Sequence, residues 1–200
     1  MSDLFAFFQI GFRHIVSWDA ADHILFLLVL AAIYRGRDWR AALVVISAFT
    51  VGHCITLVLA VTNVLVLPAR LVEFLIPMTI VATGVENLLI RRRVTRGETS
   101  RHRPVFAALF GLVHGAGFAG YLQSLFLDRI TLPLLGFNIG IEVGQIVVLC
   151  GAAAAFLMVD RLLQTVRRAS WPDAFQLRLT MVSAAVTIVS GGWAIERYPR

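Results

Sequence analysis

A chain of 200 residues that is 58% hydrophobic and 15% charged, with a mean hydropathy of +0.81, excludes a soluble globular domain, where charged residues make up about a quarter. All 18 basic residues are arginine, so a Walker-type phosphate loop, which needs a lysine, is excluded although the formal net charge is +6. The arginines flank long apolar runs, which makes them anchors of a polytopic membrane protein in the lipid bilayer and leaves no role for nucleic acid or a nucleotide.

The chain begins with "LFAFFQIGF" (4–12), too short to cross a bilayer and suited to an interfacial or re-entrant segment. Six apolar runs follow, at 13–34, 41–62, 69–90, 105–127, 133–159 and 178–196. The fold class expected is therefore all-α: one transmembrane domain over 1–200, a helical bundle of about six spans. No basic n-region or small-residue cleavage site marks a removable signal peptide. Cys54 and Cys150 lie inside apolar runs and read as small core residues, not as a disulfide or a cysteine metal site. The loops at 35–40, 91–103 and 160–178 carry thirteen arginines and the opposite side five, which predicts those loops in the cytoplasm and both termini outside.

Ionisable side chains inside spans cost about 2.5–3.5 kcal/mol each on insertion scales, so each is a functional hypothesis. In the first span, "WDAADH" sets Asp22 and His23 three and four residues after Asp19, on one face of a helix. His14 precedes them, and His53 follows in the second span with Thr50 and Thr56 on its own face. Glu73 lies in the outer part of the third span, His114 near the middle of the fourth, and Asn138, Glu142 and Gln145 form a stripe in the fifth. Four of the five histidines thus lie within spans, at one depth. Imidazoles and carboxylates converging in a dry interior have the composition of a divalent transition-metal site. The expected ligands are His14, Asp22, His23, His53, His114 and Glu142, while Asp19, Glu73, Glu86, Asn87, Asn138 and Gln145 orient them or line a path.

A single intramembrane His or Asn more often serves as interhelical hydrogen-bond glue, and it is the number of such residues that favours a metal. Glu86, in "VENLLIRRR", is expected to pair with the arginines that follow it, and is otherwise the best polar step on the inner side. Gly111, Gly115, Gly117 and Gly120 surround His114, and Gly136, Gly140 and Gly144 recur every four residues beside Asn138 and Glu142, a spacing that lets backbones approach. Pro77 removes the hydrogen bond to the Glu73 carbonyl and is expected to bend the third span.

Three functions compete on these residues. The first is a membrane permease or binding protein for a divalent first-row metal; imidazole–carboxylate sites suit several such ions, so the residues do not name one. The second is an intramembrane zinc hydrolase with His23, His53 and His114 as ligands and Asp22 or Glu142 as base. The third is a scaffold subunit that binds no metal. Transport is favoured over catalysis.

The stretches "GFRHIVSWDAADHILFLL", "FTVGHCITLVLA", "LVEFLIPMTIVATGVENL", "FGLVHGAGFAGYL" and "FNIGIEVGQIVV" together resemble the HupE/UreJ-type membrane proteins, in their second branch, over residues 10–150. The resemblance implies a bacterial inner-membrane protein that handles nickel or cobalt, often proposed as a permease supplying metalloenzymes such as hydrogenase and urease. It also implies metalloenzyme-maturation partners; a homo-oligomer is a further expectation. Its polar motif positions fall here on His14, Asp22, His23, His53, Glu73, Glu86, Asn87, His114, Asn138, Glu142 and Gln145. Two departures stand out: "DAADH" has Ala21 where a glycine is frequent before the Asp-His pair, and "GHCITL" has Cys54 where serine is usual.

Overall fold

The computed structural model describes residues 3–17, 20–95, 101–125, 131–166 and 171–199. These form seven α-helices: α1 (Asp3–Val16), α2 (Ala21–Ala31), α3 (Trp39–Val61), α4 (Ala69–Thr95), α5 (Arg103–Leu125), α6 (Thr131–Val166) and α7 (Ala174–Glu196). No strand occurs among the described residues. The protein is a helical membrane bundle. By length and hydropathy α3, α4, α6 and α7 can each cross a bilayer, and α1 with α2 make a fifth candidate if the bent pair is one span. The apolar part of α5 is shorter, Arg103–Phe118, among the residues searched.

The first apolar run is not one helix. α1 and α2 meet at 66° across residues 17–20, and α1 starts at Asp3, taking in the 4–12 stretch that looked separate in the sequence. The restart of α2 has a local cause: the Asp22 carboxylate accepts the backbone N–H of His23 at 2.8 Å in the first turn, where N–H groups lack helical partners and the helix dipole favours an acid. Two residues past α3, Asn63 has a φ of 58°, the left-handed conformation that Asn tolerates, while Val64 and Leu65 donate back to the Leu59 carbonyl. α4 runs unbroken past Pro77.

Two helix pairs run parallel and very close. Along α1 and α6, Gly136 meets the backbone of Leu4 and Gly140 that of Phe8 and Phe12; along α3 and α5, Gly111 meets the backbone of Phe49 and His53. α4 and α7 run antiparallel, with Phe74 against Tyr198 at one end and Asn87 against Ser183 further along. Past the bend, α2 threads among α4, α6 and α7. Phe26, Leu27, Phe49, Leu57, Phe137 and Ile141 fill the interior, while Val44, Val51, Leu89, Ile188 and Ile195 point outward, as they would toward lipid.

Several of the arginines assigned to loops lie within helices: Arg40 in α3, Arg91, Arg92 and Arg93 in α4, and Arg103 at the start of α5. Arg161 lies within α6, which continues to Val166. Arg178 lies inside α7 and is only 2% exposed; its Nε donates to Asp160 at 2.8 Å and a terminal nitrogen to the Ala32 carbonyl at 3.0 Å. It staples α7 to α6 and α2.

Candidate metal centre

His14 closes α1 and His23 opens α2. On one straight helix, nine residues apart, they would lie about 13–14 Å apart along the axis and on opposite faces. The bend instead sets their rings 4.7 Å apart, centroid to centroid. His53, from the middle of α3, completes a group: His14, His23 and His53 each offer a ring nitrogen, and these atoms lie within 4.8 Å of one another. Three nitrogens at about 2.0–2.1 Å from one tetrahedral ion lie about 3.4 Å apart, so binding draws the rings inward from a separation of up to 4.8 Å.

Hydrogen bonding fixes which nitrogens are available. His23 Nδ1 lies 3.0 Å from Asp22 Oδ1, so the carboxylate holds the proton on Nδ1 and leaves the Nε2 lone pair inward. His23 Nε2, His14 Nε2 and both ring nitrogens of His53 are buried with no hydrogen-bond partner. Buried nitrogens without partners are costly, and an ion bound among them removes that cost. His114 stands beside the group, its ring 5.1 Å from that of His23. The Thr79 hydroxyl donates to the Ile76 carbonyl at 2.7 Å and lies 2.9 Å from His114 Nε2. Its single proton is thus committed, so His114 donates from Nε2, and the buried Nδ1 keeps a lone pair without a partner. Phe118 covers His14 at 3.9 Å between ring centroids and excludes water from that side.

The remaining residues expected at the site lie as follows. Asp22 touches His23 and is placed as its acceptor, outside the group of three. Glu142 is exposed on the outer face of α6, because the bundle interior takes Gly140, Ile141 and Gly144 from that helix. Asn138 and Gln145 do face inward: Asn138 Oδ1 is buried without a partner, and Gln145 accepts from Thr50 Oγ1 at 2.8 Å while its own Nε2 has no partner. Glu73 is exposed and lines a cavity of about 220 Å³ with Asn63, Gly117 and Gly120 at the α3–α4 turn. Glu86 does pair with arginine, but with one across the loop: Arg103 at 3.1 Å, together with His102 at 2.9 Å. Asn87 is equally committed, donating to the Val29 carbonyl at 2.7 Å and accepting from Arg103 at 3.1 Å. Asp19 lies outside the described residues. Thr79 was not legible as a site residue, since a hydroxyl two residues beyond a proline carries no helical-face signal of its own.

Asp22→Asn is expected to weaken divalent-metal affinity by about 10–100-fold with the fold intact, because the amide can also present N–H and no longer fixes the His23 tautomer. Competition titration against a chelator measures it; unchanged affinity would remove Asp22 from the site.

The family model described as HupE / UreJ protein matches residues 1–197. No curated protein and no solved structure matches the chain.

Proposed function

Because the chain belongs to the HupE/UreJ family, we propose that it is a permease or membrane binding protein for a divalent transition metal, nickel or cobalt by the family resemblance. The observation that carries this reading is the convergence of His14, His23 and His53 with unpartnered, buried ring nitrogens. In this reading the protein lies in the bacterial inner membrane with both termini outside, as the arginine asymmetry favours. The metal is cargo. It arrives from the side of the α1–α2 bend and sheds water as imidazoles replace its hydration shell. His114 Nδ1, also without a partner, is the next nitrogen it meets. Toward the arginine-bearing end the polar network of Glu86, Asn87 and Arg103 closes the bundle, and inward release requires that network to open.

Three histidines with an open position also describe a hydrolytic zinc site. Against it stands the placement of the acids: Asp22 is engaged in orienting His23 and Glu142 faces outward, which among the described residues leaves no uncommitted carboxylate beside the group to act as base.

Uptake of Ni²⁺ or Co²⁺ into proteoliposomes tests the proposal. We expect saturable uptake that His23→Ala abolishes, because that substitution removes one of the three converging ring nitrogens. Absence of uptake together with tightly retained stoichiometric zinc would overturn transport in favour of the hydrolase.

A further inference from the structure

Two cavities at the arginine-bearing end share one wall, and neither belongs to the histidine site. The first, about 340 Å³, is lined by Arg35, Arg37, Arg101 and Arg103, with Asp38 the single carboxylate on its wall. Some of this charge is already used. Arg35 lies 3.7 Å from Asp173, Arg37 lies 3.8 Å from Asp38, and Arg103 gives one terminal nitrogen to Glu86. Arg101 has no carboxylate partner among the described residues. Arg103 is the informative member. It is only 4% exposed, and its Nε and second terminal nitrogen make no hydrogen bond to Glu86 or Asn87, with Tyr34 the neighbouring polar group. A buried guanidinium whose second edge is not taken by a carboxylate suits a bidentate oxyanion, and phosphate oxygens match that fork.

The second cavity, about 570 Å³, runs along the outside of the bundle between α3 and α6, with Leu43, Ile46, Leu149 and Ala153 on its walls, together with the ion pairs Asp160–Arg178 and Asp173–Arg35. Tyr34, Arg35 and Phe175 line both cavities. The partition between them is the Arg35 guanidinium lying over the Phe175 ring at 4.3 Å. A cationic pocket beside an apolar groove, at the level where helices emerge, has the polarity profile of one amphiphile lying across it.

We propose that these paired cavities are the seat of one acidic phospholipid, its phosphate held by Arg103, Arg101 and Arg37 and an acyl chain lying in the α3–α6 groove. Charge complementarity selects the occupant: four arginines meet Asp38 on the wall and Asp173 and Glu86 from outside it, which leaves one positive charge for one anion, and a zwitterionic headgroup would bring a quaternary ammonium against it. The seat also bears on the bundle. Arg103 binds Glu86 and Asn87 on α4, so a phosphate there ties α4 and α5 to the loop after α2 independently of any metal.

The test uses full-length protein, delipidated in mild detergent and titrated with dioleoylphosphatidylglycerol, dioleoylphosphatidylcholine or inorganic phosphate, with retention read by native mass spectrometry. The substitutions fall on exposed side chains, so the fold is kept: Arg37→Gln with Arg101→Gln for the cationic pocket, and Ala153→Trp to fill the groove. The expected result is one phosphatidylglycerol retained per chain and no comparable retention of phosphatidylcholine. Affinity should fall roughly ten-fold or more in the double arginine variant and also in Ala153→Trp. Equal retention of both lipids, or unchanged phosphatidylglycerol binding in the double variant, would overturn the proposal. Full competition by inorganic phosphate, with Ala153→Trp without effect, would also overturn it and assign the pocket to free phosphate.

Discussion

His53→Leu should empty the metal site while leaving the metal-free bundle as stable as before, or more so. His53 is fully buried with neither ring nitrogen hydrogen-bonded, so without an ion it contributes only an uncompensated desolvation cost of about 1–3 kcal/mol. Leucine is of similar size and removes that cost. With an ion, the same residue supplies one of three converging nitrogens. Its loss should therefore exceed the roughly 10–100-fold that removal of a ligand's supporting hydrogen bond costs. Elemental analysis should find near-stoichiometric metal in the native protein and at most a trace in the variant. Thermal melting in detergent with chelator present should show no decrease. The opposite pair of results, a lower melting temperature and unchanged metal content, would make His53 a structural residue and reduce the cluster to interhelical glue.

Gly111→Val is expected to disrupt the bundle itself. A Cβ on Gly111 would meet the backbone of Phe49 and His53 on α3, and backbone cannot swing aside as a side-chain tip can. Overpacking in a core typically costs about 1–3 kcal/mol, and this contact, between two main chains, belongs at or above the upper end. α3 and α5 must separate, and with them His53 and His114. Loss of monodisperse protein in size-exclusion chromatography, or of metal from whatever folds, is the expected readout. Gly151→Ala is the control: its Cβ would enter open space, so stability should stay the same or rise by up to about 1 kcal/mol through helix propensity. Equal behaviour of the two variants would show that the α3–α5 approach is not needed.

The contrast between these glycines marks where reading the chain alone stops. Small residues at four-residue spacing announce close helix approach, but not the partner. Gly140 turns out to seat α1 and Gly111 to seat α3. The same limit applies to Glu142. Helical periodicity placed it on one face with Asn138 and Gln145, and two of those three do face inward, whereas Glu142 is exposed. In a membrane both faces of a helix are apolar, so the hydrophobic pattern that orients a helix in a soluble protein is weak. Glu86 was legible as an arginine partner from charge alone, but its partners, Arg103 and His102, stand at the start of α5, and the packing of α4 against α5 decides the pairing.

From its sequence alone this protein is determined to be an all-helical membrane bundle, anchored by arginine and carrying histidines that lipid would not tolerate without a use. Composition and run length suffice for that, because burial of ionisable groups in hydrocarbon is costly wherever they lie. Only the tertiary structure decided that His14 and His23 meet. Nine residues of continuous helix would have put them on opposite faces, and the 66° bend between α1 and α2 turns them toward each other. No proline or glycine marks that break in "SWDAADH". It is paid for by long-range packing: α1 lies along α6 through Gly136 and Gly140, while α2 runs on between α4 and α6. Two helix axes fixed by different neighbours cannot be collinear, and the site forms at the corner where they part.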